Sequence, residues 1–334
     1  MIFELIIRYI EENWTWIIAG FAIVVVAITI LMRKRKASKS CTGIKGEEEQ
    51  SKTIPKGRKL AVFFNGRFTI SGYAASIIGT RKDQQDSYAV VALDEGKNGK
   101  GGLLGIVCDG MGGLAAGKKA SDIGVTTFLE YFQKAHDSAE SYDACARAAI
   151  DKADQKVVEI SHGLGEGCRA GTTLVSAYVT GDNLYWCSVG DSRVFHYRHG
   201  KLHQLTRDHN YMLLLHEQVR KGTLTQEKAE ADPDKEALIS FIGIDGVPLV
   251  DTEKQGIGLQ PGDVVVLCSD GLYKALPEAE IQEIIRRYED KPEFLPGVLA
   301  ASALDKWHRH QDNTTVVVLS CQYDGGKKNI EKGE

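Results

Sequence analysis

Residues 103–117 read LLGIVCDGMGGLAAG: an apolar run that ends in Asp109-Gly110, passes two more glycines and enters an Ala-rich segment. Two ordinary readings fit. Asp-Gly is a frequent turn pair, because Gly reaches backbone angles closed to other residues and Asp bonds its own backbone. Gly110-Met111-Gly112-Gly113-Leu114-Ala115 also satisfies G-x-G-x-x-A after a strand-like run and before a helix, the setting of a dinucleotide-binding fingerprint.

The chain beyond this stretch decides between them. A dinucleotide fold needs a second parallel strand straight after the helix, with an acid at its end. Here a helical stretch over 113–133 is followed by another over 141–162, in which Tyr142, Cys145, Ala149, Ala153, Val157 and Ile160 recur at helical spacing and Gly163 is a stop signal. Asp109 would also set a carboxylate against an anionic pyrophosphate. These mismatches reject the dinucleotide site. Short β-type runs at 70–78, 87–93, 103–108, 173–179, 183–189, 193–197, 264–268 and 315–320 include close neighbours joined by turns, which predicts mostly antiparallel wiring. Two further helices are expected at 278–288 and 294–307. No internal repeat or second linker interrupts residues 60–322, so they form one expected domain.

Asp109 is not alone in its setting. VVVLCSDGL exports Asp270 from another apolar run, QDNTTVVVL places Asp312 just before a third, and TRKDQQDSYAV puts Asp86 before a fourth. Each alone reads as a turn or cap. Four acids at the margins of four strands would bring like charges together where strand ends converge, and a cation is the natural compensation. All-oxygen ligation selects hard ions, Mg²⁺ or Mn²⁺ before Zn²⁺.

These residues resemble the metal-dependent protein serine/threonine phosphatases, the PPM or type 2C family, in its bacterial form. The likeness runs over nearly all of residues 70–320 and rests on six ordered blocks: RKDQQDSY, VCDGMGGLAAGKKAS, AGTTLVSAYV, LYWCSVGDSRVFHYRHGKLHQLTRDH, GDVVVLCSDGLYKAL and DNTTVVVL. It implies an α+β fold, an α-β-β-α sandwich of two antiparallel sheets flanked by helix pairs. It implies two Mn²⁺ or Mg²⁺ ions, with a third left open. Asp109 resembles the carboxylate that bridges the ions, the Gly110 carbonyl a ligand to one of them, and Asp270 and Asp312 the further ligands of the other. Arg81 matches the guanidinium that holds the substrate phosphate, a task suited to its planar fork of donors. With Gln85 standing where some relatives have an acid, Asp86 is expected to act through metal-bound waters. Met111 stands where eukaryotic members have His and cannot protonate a leaving group.

Other positions carry weaker expectations. Near Gly171 a third-metal carboxylate would fall at Cys168, with Glu166 the closest acid. Asp191 in VGDSR is expected to be structural, partnered by Arg193 or local backbone. His308 and His310 in WHRHQD lack metal-ligand spacing and read as solvated. Residues 209–245 resemble the variable flap beside the family's active site, where substrate choice would lie. A rival class is a catalytically weak phosphatase-like module kept for binding. Such a module would be free to lose its acids, and here all the matched metal positions are filled. An aspartyl-nucleophile phosphatase would need D-x-D, and Met111 occupies the second acid's place.

The 334 residues are 43% hydrophobic and 26% charged, an ordinary globular composition. Residues 1–59 carry 11 Lys/Arg against 6 Asp/Glu, so the net −4 of the chain divides into +5 for that segment and −9 for the rest. A body that acidic argues against nucleic-acid binding. Seven cysteines, at 41, 108, 145, 168, 187, 268 and 321, show no zinc spacing or disulfide framework and suit a reducing, cytosol-facing domain. From Asn13 to Met32 there is no charged side chain, and about 20 apolar residues are one membrane span. Arg33-Lys34-Arg35-Lys36 follows directly, which argues against a cleaved signal peptide and holds that side in the cytoplasm. The expected order is therefore an extracytoplasmic N-terminus (1–13), a single transmembrane helix (14–32) with Trp14 and Trp16 at the outer interface, a flexible basic tether (33–59), the phosphatase domain (60–322) and a frayed tail (323–334). Its expected partners are phosphorylated proteins at the membrane, a membrane Ser/Thr kinase and its substrates among them.

Overall fold

Two antiparallel sheets face one another in the computed structural model, which describes residues 57–94, 101–112, 115–136, 141–163, 170–306 and 311–323. All of these belong to one of two compact units, Thr53–Glu334. The predicted span, most of the tether, the tail, Cys41, Glu166, Cys168, His308 and His310 lie outside the described residues. Among the described residues no helix is long and apolar enough to cross a membrane.

The first sheet has the order β1 (Arg58–Phe64), β2 (Phe68–Ile77), β13 (Thr314–Tyr323), β12 (Val264–Cys268), β8 (Arg193–Arg198), β9 (Lys201–Gln204). The second runs β10 (Asp251–Thr252), β7 (Asn183–Val189), β6 (Leu174–Thr180), β4 (Gly102–Met111), β3 (Asp86–Leu93), with β11 (Ile257–Gly258) also on β7 and β5 (Gly171–Thr172) on β4. Helices α1 (Ala115–His136) and α2 (Tyr142–Gly163) cover the second sheet. Helices α5 (Asp270–Tyr273), α6 (Glu278–Tyr288) and α7 (Leu295–Lys306) cover the first, and α3 (Tyr211–Arg220) and α4 (Gln226–Glu230) lie in the flap segment.

The period of two along each strand builds the four layers. On β4, Leu103 and Val107 turn inward to meet Val317 and Leu319 of β13, while Leu104, Ile106 and Cys108 meet Phe128, Ala146 and Ile150 of the helices. On β12, Val265 and Leu267 face inward, and Val264, Val266 and Cys268 pack against Leu272, Ile281, Ile285 and Leu299. Strands buried on both faces have continuous apolar sequences for this reason. The predicted sandwich is therefore observed, with all eight predicted strands and both helix pairs. One boundary differs: β1 starts at Arg58, inside the segment assigned to the tether. Its ladder to β2, with Arg58 opposite Ala74, and a bond from Gly57 N to Glu293 O hold it in the domain. The described free cysteines, 108, 145, 187, 268 and 321, are buried, as a reduced core requires.

Candidate active site

Register places the first two acids side by side. Asp86 opens β3 directly opposite Asp109 near the end of β4. Asp270 follows β12 and Asp312 precedes β13, neighbouring strands of the other sheet. A bond from Ser269 Oγ to Asp86 Oδ2, 2.8 Å, ties the two sheets at this end, and Ser269 Oγ in turn accepts from Thr315 N at 2.9 Å. The result is a pocket of about 380 Å³ walled by Arg81, Asp109, Gly110, Asp191, Asp270 and Asp312 among others. Asp109, Gly110, Asp270, Asp312 and Arg81 are thus brought together. Asp86 sits behind them, 3% exposed.

Backbone bonds fix Asp109. Its N–H donates to Thr173 Oγ1 at 3.0 Å, and its carbonyl accepts from Thr173 N and Thr172 Oγ1, both at 2.9 Å. Gly110 is required by crowding. A Cβ there would stand 2.1 Å from Gly117 O and 2.6 Å from Gln85 O, so the glycine lets the starts of α1 and β3 close on β4.

Electrostatically the pocket is an excess of carboxylates. Burial first, then Asp86, Asp270, Asp191 and Asp312, push the Asp109 carboxyl well above the usual range. Burial pushes Asp86 to about 6; the Ser269 and Thr315 bonds oppose it, and the Asp270 and Asp312 charges add to it. Burial and then Asp270 bring Asp191 to about 6 as well. Two buried oxygens, Asp86 Oδ1 and Asp270 Oδ1, have no hydrogen-bond partner among the described residues. Acids that repel one another and hold buried unpartnered oxygens fit a hard cation. With side chains as they stand, Arg81 pairs with Asp312, and Lys274 Nζ lies 2.8 Å from Asp270 Oδ2 and 3.4 Å from Glu236 Oε2. Among the described residues no three acidic, His or Cys groups converge on one point.

The structure revises one assignment. Asp191 is not paired with Arg193, whose guanidinium instead grips Asp208 at 3.0 and 2.7 Å and stacks 3.6 Å over the Tyr273 ring. Asp191 is bonded by Tyr273 Oη, 3.3 Å from Oδ2, and lines the pocket. The turn VGDSR looked self-contained because its neighbours lie about 80 residues away in sequence. Gln85 and Met111 also line the pocket, and Gln85 Nε2 donates to Gly112 O at 3.1 Å.

Sequence reasoning missed Lys274, Glu236, Leu238, Thr173 and Asn313 in the wall. Asn313 is a staple: its Nδ2 donates to Ile78 O at 2.9 Å and Asp83 O at 3.1 Å, and its Oδ1 accepts from Gln85 N at 2.8 Å, which holds the loop carrying Arg81. Its place beside Asp312 was the available signal.

Residues 75–308 match the family model of protein phosphatase 2C. The chain belongs to the protein phosphatase 2C family. It is 34% identical over 183 residues to the serine/threonine phosphatase stp of Listeria monocytogenes, which spans 54% of this chain and 71% of that protein. It is 30% identical over 247 residues to the serine/threonine protein phosphatase PstP of Mycobacterium tuberculosis, 73% of this chain and 45% of that one. Among solved structures, the Streptococcus agalactiae serine/threonine phosphatase superposes with a TM-score of 0.59 at 29% identity, over 75% of this chain and 99% of the other. The catalytic domain of PstP, solved in complex with two manganese ions, gives 0.56 at 26% identity, over 76% and 98%. This protein phosphatase 2C is accordingly a metal-dependent protein serine/threonine phosphatase.

Proposed function

We propose that this phosphatase is anchored in the membrane and hydrolyses phosphoserine and phosphothreonine of cytoplasmic proteins at a site for two Mn²⁺ or Mg²⁺ ions. The observation that carries the site is the meeting of Asp109, Asp270 and Asp312 around one pocket, with unpartnered oxygens on Asp86 and Asp270. Asp109, the Gly110 carbonyl, Asp270 and Asp312 would hold the ions, and the manganese bound to the PstP domain supports that choice. Such a pair supplies a low-pKa water for in-line attack and offsets charge on the phosphoryl oxygens.

The chain's own residues do the rest. Arg81, its side chain 60% exposed at the rim, can turn from Asp312 to grip the phosphate through its fork of donors. Asp86 orders the site from behind through Ser269. Met111 has no proton to give, so the departing Ser or Thr oxygen takes its proton from water that the open pocket admits. Glu236 and Leu238 bring the flap segment to the pocket wall, where they meet the polypeptide around the phosphoresidue.

Anchoring rests on the uncharged stretch 14–32 and on the basic run that follows it. Phosphoproteins close to the bilayer, receptor-type kinases included, are then the substrates within reach. Protease added to intact spheroplasts should spare the domain, and a cysteine reagent that cannot cross membranes should leave Cys41 unlabelled. Digestion of the domain from outside would overturn the orientation and with it this choice of substrates.

A further inference from the structure

Helix α2 carries an acid that neither the pocket nor the helix surface explains. Asp154 is only 5% exposed, and its carboxylate accepts three backbone N–H groups. Oδ1 receives Gly243 N at 2.6 Å and Ile244 N at 3.2 Å, and Oδ2 receives Gly246 N at 2.7 Å. These donors belong to one tight loop in which Gly243 (φ +104), Asp245 (φ +70) and Gly246 (φ +96) are all left-handed. Successive amides turned toward one anion form a nest, and a fixed carboxylate is a strong occupant for it. The loop lies flush on α2: a Cβ on Gly243 would meet Ala170 O at 2.5 Å and Val157 Cγ1 at 2.7 Å.

The loop is the far end of the flap segment, and it touches the site's frame. Ile242, fully buried, exchanges both backbone bonds with Thr172, 2.9 and 3.0 Å. Thr172 sits opposite Gly110 and bonds the Asp109 carbonyl through its hydroxyl. On the other side of Ile242, Glu236 and Leu238 form part of the pocket wall. Asp154 therefore pins the point from which the flap departs.

We propose that Asp154 is a positioning residue for peptide substrates: it fixes residues 236–246 so that the flap presents a set surface to the polypeptide around the phosphoresidue. A small phosphate ester shares the pocket wall at Glu236 and Leu238 but carries no polypeptide for the rest of that surface to hold. This inference rests on the phosphatase assignment and makes a claim of its own, a split between substrate sizes.

The test compares Asp154→Asn with the parent chain, each with Mn²⁺, on a phosphothreonine peptide and on p-nitrophenyl phosphate. Asn keeps the shape but turns an amino group toward one set of N–H donors. KM for the peptide should rise about tenfold, the scale of one lost charge-assisted bond, while kcat and both constants for the small ester stay within about twofold. Amide exchange at 243–246 should quicken in the same variant. Ser161→Ala, which removes another tie of α2, from Ser161 Oγ to Ala170, is the control and should leave the peptide KM unchanged.

A parallel loss on both substrates would mean that Asp154 only supports the fold, and an unchanged peptide KM would equally overturn the proposal. If Asp154→Asn does not fold, Asp154→Glu, with its carboxylate displaced by one methylene, is read by the same criteria. A parent chain inactive on both substrates would defeat the phosphatase assignment instead, and unchanged amide exchange in the variant would still overturn the clamp.

Discussion

Asp109→Asn is expected to lower kcat/KM on a phosphothreonine peptide by at least ~10³-fold while leaving the melting temperature unchanged or higher. The two effects have one cause. Asp109 is held among Asp86, Asp270, Asp191 and Asp312, and burial and their charges push its carboxyl well up, so its ionised form is a source of repulsion in the fold. Asn keeps the shape and removes the charge. The backbone ties of residue 109 to Thr172 and Thr173 do not involve the carboxyl group and persist. What is lost is the anion proposed to hold both ions. Arg81→Ala, by contrast, should raise KM more than it lowers kcat, because Arg81 is proposed to grip the phosphate and is exposed at the rim. A variant of Asp109 that lost stability along with activity would point to a structural role.

Gly110→Ala should be among the most damaging single methyls in the domain. The added carbon meets two backbone oxygens, at 2.1 and 2.6 Å, and neither belongs to a flexible side chain that could move aside. Either the start of α1 or the start of β3 must shift away from β4, an overpacking cost of about 1–3 kcal/mol. Such a shift moves Asp109 relative to Asp270 and Asp312, and a displacement of roughly 1 Å can cost ~10²-fold in rate. Chemical denaturation and steady-state kinetics on the same preparation measure both. Gly163→Ala is the matched control, since a Cβ there meets nothing within 4 Å and should change neither quantity. Wild-type activity in Gly110→Ala would show that the backbone approach does not matter.

Much of this site was legible because its chemistry sits at strand margins. Asp86, Asp109, Asp270 and Asp312 each stand beside an apolar run, and the period of two with its turns fixed where those runs end. The layers were legible for the same reason: β4 and β12 are apolar on both faces, so each must be covered twice. What escaped depends on contacts between distant segments. Lys274 is the local exception, one helical turn from Asp270 and not singled out, and Glu236 lay unnamed in a flap expected beside the site until Lys274 is seen to reach it. Asp191 was assigned to a local turn because its partner Tyr273 lies on the other sheet's helix layer. Nothing along the predicted helix 141–162 marks out Asp154, and only folding brings the amides of Gly243, Ile244 and Gly246 onto it. Strand β1 was missed because an edge strand that opens with Arg58-Lys59 continues the basic composition of the preceding segment.

These carboxylates are proposed to hold hard divalent ions that the hydrolysis requires. The most direct test of that proposal is phosphate release from a phosphothreonine peptide by the full chain in mild detergent, first with Mn²⁺, then in excess EDTA, then with Mn²⁺ restored. Ligands dominated by carboxylates and water hold such ions only moderately, so turnover is expected with Mn²⁺, none in chelator and recovery on restoring the ion. Full turnover in excess EDTA would contradict it.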